Sequence, residues 1–66
     1  MDKHAWLRQL RLRLDLTQEE MAGACRVSTR TWRNWETGVY TPAARAMGLL
    51  VEMAGTVGLQ PEARAA

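Results

Sequence analysis

The sequence predicts an all-α bundle of four to five helices. Apolar residues recur at three- and four-residue spacings along most of the chain. Helix start and stop signals punctuate it at Thr17, Ser28 and Gly38. The one alternating stretch, residues 10–16, contains no β-branched residue to support a strand. With 66 residues the chain is read as one domain, 1–66. A core of that size is marginal but feasible without cross-links.

Composition excludes several classes. A single cysteine, Cys25, rules out an intramolecular disulfide, and with only His4 beside it no structural zinc site can form. No metal or cofactor is expected, and an isolated Cys25 is read as a small apolar residue. No apolar run reaches membrane-spanning length and no signal-peptide pattern opens the chain, so the expected location is cytoplasmic, with no membrane partner. Nine Lys and Arg against seven Asp and Glu give a net charge of +2, which alone identifies no partner. The distribution is more informative. Residues 17–25 carry Glu19 and Glu20 and no base, whereas residues 26–45 carry Arg26, Arg30, Arg33 and Arg45 against Glu36 alone. Localised basic charge is the footprint of phosphate binding.

Residues 2–14 are read as the first helix. Leu, Arg, Gln and Ala are good helix formers, and Trp6, Leu7, Leu10 and Leu14 fall on one face, with Leu12 left partly exposed. Trp6 is either core or contact surface. Thr17 followed by Glu20 is a capping box. It opens a helix to about Cys25, with Met21, Ala22 and Cys25 inward and Glu19, Glu20 and Gly23 outward. After a turn at Arg26 and Val27, Ser28 caps a helix from Thr29 to about Thr37. At about 100° per residue, Trp32 and Trp35 share one side with Thr31 close by. Arg30, Arg33, Asn34 and Thr37 point the opposite way, Thr29 occupies the exposed first turn, and Gly38 stops the helix. Thr41 and Pro42 read as the N-cap and first position of a last helix. That helix is expected to run to Ala54 and stop near Gly55, with a core stripe of Ala46, Leu49, Leu50 and Met53. Residues 56–66 form a short tail, expected to fray in part.

Little in the chain supports catalysis. It has no Gly-rich phosphate loop, no paired catalytic carboxylates and no histidine beside a nucleophile, so no enzyme is expected. Glu19 and Glu20 are favoured as first-turn charges by the helix dipole. Residues 17–38 have a different use. Two short helices joined by a tight turn form a helix-turn-helix, whose second helix enters the DNA major groove. Arginine bonds guanine bidentately, asparagine bonds adenine, and threonine bonds bases or touches the thymine methyl. Thr29, Arg30, Arg33 and Asn34 supply this set. On an arbitrary amphipathic helix such residues would be ordinary solvated side chains, but the preceding capped helix and turn favour base reading. Trp32 and Trp35 lie opposite the arginines and are assigned to the core, where they replace the absent Phe and Ile in volume.

Residues 7–50 carry LTQEEMA, then VS, then a helix ending in WETG, then a proline and LL. This series resembles the Cro/repressor-type, xenobiotic-response-element-like helix-turn-helix family. The resemblance implies a lambda-repressor-like bundle that binds operator DNA as a dimer. It places Gln18 on a phosphate and Thr29, Arg30 and Asn34 on bases, with Arg33 reaching either. Ser28 and Thr37 fall near the DNA backbone, Tyr40 and Arg45 are further phosphate candidates, and Arg11 pairs with Glu36. Three positions depart from the pattern. Arg26 and Asp15 stand where Gly is common, and a left-handed non-Gly residue costs on the order of 1 kcal/mol. The turn is therefore either strained at Arg26 or built differently. Cys25 replaces a larger aliphatic residue, leaving space beside it.

The functional expectation is a sequence-specific DNA-binding transcriptional regulator. It would act as a homodimeric repressor of its own operon on an inverted repeat, of the phage or mobile-element type, including the anti-CRISPR-associated kind. Met47, Val51, Val57 and Leu59 are dimer candidates, or else pack under a folded-back tail. No small-molecule ligand is expected. The alternative is a protein-interaction module of the same fold, such as an antitoxin.

Overall fold

The computed structural model describes residues 3–59. Among them are four helices and no strand: α1 (Lys3–Arg13), α2 (Gln18–Ala24), α3 (Thr29–Glu36) and α4 (Ala44–Thr56). The all-α expectation holds. The expected tail starts inside the last helix, since α4 ends at Thr56; residues 60–66 lie outside the described part.

All four helices end on the same backbone device. Asp15 (φ 59°), Arg26 (φ 59°), Gly38 (φ 84°) and Gly58 (φ 69°) adopt the left-handed conformation one residue beyond the C-cap. The next residue's N–H then bonds back to a carbonyl of the last turn: Leu16 to Arg11 at 3.2 Å, Val27 to Ala22 at 3.0 Å, Val39 to Asn34 at 2.9 Å and Leu59 to Ala54 at 3.0 Å. Leu16, Val27 and Leu59 also pack against the core, which fixes the direction in which the chain leaves each helix. The turn at Arg26 thus has the geometry that a glycine would give, built without one.

The helix starts are equally specific. Thr17 Oγ1 accepts from the Glu20 N–H at 3.0 Å, and the Glu20 carboxylate accepts from the Thr17 N–H at 2.9 Å. Ser28 Oγ accepts from the Thr31 N–H at 3.1 Å. Both caps fall where the sequence places them. α4 does not follow its expected bounds. It starts at Ala44 after an Ala43 N-cap without a side-chain bond, because Pro42 is buried and serves as a packing residue ahead of the helix. It also passes through Gly55 to Thr56 and stops at Gly58, because Val57 and Leu59 pack on the core.

The core draws on every helix: Trp6, Leu7 and Leu10 from α1, Met21 and Ala22 from α2, Trp32 and Trp35 from α3, Leu50 and Ala54 from α4. Trp6 is therefore core. Trp32 and Trp35 meet edge to face, with centroids 5.8 Å apart and planes at 68°. Such pairs add about 0.5–1.5 kcal/mol beyond their burial. α3, the helix with the basic face, packs on both α1 and α2. The stripe expected on α4 is rotated. Leu49 is 38% exposed and Ala54 takes a core position, while Ala46 and Met53 are half-buried.

Candidate nucleic-acid interface

The local sequence of α3 separates two faces. Trp32 and Trp35, three residues apart, are buried at 0% and 6% exposure and fix the rotation of the helix. Arg30 and Arg33 are consequently exposed, and Thr29 and Asn34 are half-buried. The side chains of Thr29, Arg30 and Asn34 make no hydrogen bond to another described residue. They are held by the helix and left with their polar groups uncommitted.

Arg33 is different. Its Nε donates to Gln18 Oε1 at 3.1 Å. Gln18 Nε2 donates in turn to Glu36 Oε1 at 3.3 Å. The second oxygen of Glu36 accepts from Arg11 Nε at 2.6 Å and from the Trp32 indole N–H. Arg11 Nη1 also donates to the Leu16 carbonyl at 3.0 Å. One connected network therefore runs from α1 through Glu36 to Gln18 at the start of α2, and ends on Arg33 at the face of α3. The donors and acceptors leave only one orientation for the Gln18 amide. Its carbonyl faces the guanidinium, because its NH₂ faces a carboxylate.

The Arg11 and Glu36 side chains are only 13% and 6% exposed. Burial acts to raise the Glu36 carboxyl pKa. Hydrogen bonds from Arg11, Trp32 and Gln18, with the charge of Arg11, outweigh it, and the net value lies below the ordinary one. Glu36 thus stays ionised beside the basic face, with its charge already compensated. At Cys25, burial pushes the thiol pKa up, which suits a packing residue.

Of the remaining phosphate candidates, Ser28 is exposed but its hydroxyl is engaged in the cap and bonds Thr31 Oγ1 at 3.0 Å. The Thr37 hydroxyl bonds the Arg33 carbonyl at 2.9 Å. Tyr40 is 65% exposed in the loop after α3. Arg45 is exposed near the start of α4. It lines a cleft of about 400 Å³ between the α2–α3 turn and α4, together with Cys25, Arg26, Val27, Trp35 and Leu49. Space beside Cys25 thus persists as an open cleft that the tryptophans leave unfilled.

The dimer candidates divide. Val57, Leu59 and the half-buried Met47 pack against the core, whereas Val51 is 40% exposed. Sequence reasoning missed the Gln18–Arg33 link and the Trp32 bond to Glu36. The second had a usable signal, since Trp32 and Glu36 are four residues apart on one helix. The first joins residues 15 apart on different helices and had none.

Among the described residues there is no group of three or more His, Cys, Asp or Glu that could hold a metal, and no helix is long and apolar enough to cross a membrane. Comparisons with curated proteins and with solved structures gave no match. A family model described as a helix-turn-helix domain matches residues 5–66, nearly the whole chain. The chain belongs to the helix-turn-helix domain family.

Proposed function

We propose that the protein is a sequence-specific DNA-binding transcriptional regulator that inserts α3 into the major groove. One observation carries this reading. Burial of Trp32 and Trp35 leaves Thr29, Arg30 and Asn34 on one helix face with uncommitted polar groups. These are the side-chain types that bond guanine, adenine and thymine edges. Arg33, steered by Gln18, contacts a base or the adjoining phosphate. In this reading Gln18, Ser28, Thr37 and Tyr40 contact phosphates, which set register and carry no direct sequence information.

The described part of the chain measures 28 Å along its longest axis, shorter than the roughly 34 Å between successive major-groove faces. One copy therefore reads one half-site, and an inverted repeat requires two. We assign the protein as a homodimer acting as a repressor of its own operon, of the mobile-element type.

Selection of binding sites from a random duplex library tests the reading directly. A preferred half-site is expected, and Arg30→Ala or Asn34→Ala should each weaken binding to it by about 1–3 kcal/mol while relaxing base preference. If binding carries no sequence preference once salt is raised, the domain is a protein-interaction module and not an operator reader.

A further inference from the structure

The face of α4 opposite Leu50 and Ala54 is exposed, and Arg45 and Leu49 on it also border the cleft beside Cys25. Arg45, Gly48, Leu49 and Glu52 recur along it at three- and four-residue steps and are all exposed. Leu49 and the flanking Val51 add apolar surface to it, at 38% and 40% exposure. The two charges are set against the helix's own field. Arg45 sits in the first turn and Glu52 in the C-terminal half, the reverse of what the macrodipole favours. Neither forms an ion pair or side-chain hydrogen bond with another described residue. Gly48 is equally unexplained within one copy. A side chain there would meet nothing within 4 Å, yet mid-helix Gly costs about 1 kcal/mol relative to Ala.

We infer that this face is the contact between two copies of the chain, packed as antiparallel α4 helices about a two-fold axis between Gly48 and Leu49. Charge complementarity identifies a second copy as the occupant. In that register Arg45 of each copy lies opposite Glu52 of the other, and Leu49 of each copy lies over the bare backbone at Gly48 of the other. The field argument also reverses sign. Each arginine is carried to the partner's C-terminal half and each glutamate to its N-terminal half, where the partner's dipole stabilises them. The interface is isologous, as a two-fold dimer requires. It specifies the dimer contact of the regulator proposed above and assigns Arg45 to assembly instead of to phosphate. One helix pair buries less than the roughly 1,200 Å² typical of stable complexes. Association in solution is therefore weak and concentration-dependent.

Sedimentation equilibrium of the full chain, from about 1 μM to about 1 mM, tests the contact with a charge swap. Wild type should shift from monomer to dimer across this range. E52R alone and R45E alone place like charges opposite each other and should remain monomeric. The double variant R45E/E52R restores opposite charges and should dimerise as wild type does. Thermal melts separate this from misfolding, because each single change aligns its charge with the local dipole and should leave the melting temperature unchanged or raised. A wild type that stays monomeric throughout, an E52R that dimerises normally, or a double variant that fails to recover overturns the inference. Binding of E52R to a duplex carrying one half-site keeps the two readings apart. Unchanged half-site affinity is expected, because Glu52 is not on α3. Loss of all DNA binding by wild type, with the swap behaving as expected, would remove the DNA reading and leave the interface standing.

Discussion

Arg26 and Asp15 both hold φ at 59°, in the region where a Cβ crowds the following carbonyl oxygen. Arg26→Gly should therefore stabilise the protein by about 1 kcal/mol, read from the midpoint of chemical unfolding at unchanged slope. Asp15→Gly should gain less, because Asp tolerates this conformation better than Arg. The gain is expected only if the turn keeps its geometry, which the Val27 to Ala22 bond enforces. Cys25 makes a second residue-scale case. Its half-buried thiol, with a raised pKa, should alkylate slowly at neutral pH in the folded chain and rapidly once denaturant is added. Fast alkylation of the folded protein would show that the thiol is freely reached through the cleft beside it.

Between elements, Glu36 is the junction. It receives bonds from α1 through Arg11, from α2 through Gln18 and from Trp32 on its own helix. Its folded pKa lies below the ordinary value, so its stabilising contribution is full above the ordinary carboxyl range. That contribution falls away as pH is lowered through the ordinary value towards the folded one. Glu36→Gln should cost about 2 kcal/mol at neutral pH and flatten this acid limb, measured as unfolding free energy against pH. The same network makes a claim about DNA. Because Gln18 orients Arg33, the losses from Gln18→Ala and Arg33→Ala should be less than additive in a double-mutant cycle on operator affinity. Fully additive losses would mean that the two side chains act independently once DNA is bound.

For the whole molecule, a net charge of +2 is small for a nucleic-acid binder. Affinity then rests on local placement, with the acid nearest the basic face, Glu36, already neutralised by Arg11. Binding should weaken steeply with added salt, and the slope should reflect the number of phosphates contacted. Removing Arg33 should lower that slope if it grips a phosphate and leave it unchanged if it reads a base. Titrations at several salt concentrations distinguish the two.

Local signals were strong enough in the sequence to determine the first three helices, the capping box at Thr17 and Glu20, the cap at Ser28 and the stop at Gly38. The inward rotation of Trp32 and Trp35 was equally legible, because helical periodicity and two bulky apolar residues admit one solution. α4 was less so. Its bounds and rotation depend on Pro42, Ala54, Val57 and Leu59 finding sites on other helices, and no residue-to-residue spacing encodes that. Only the tertiary structure decided that Arg33 is steered by Gln18, because that contact exists once α2 and α3 are packed. The turn at Arg26 divides in the same way. The sequence marked Arg26 as a residue that resists the left-handed conformation, and the packing of Val27 on the core holds it there.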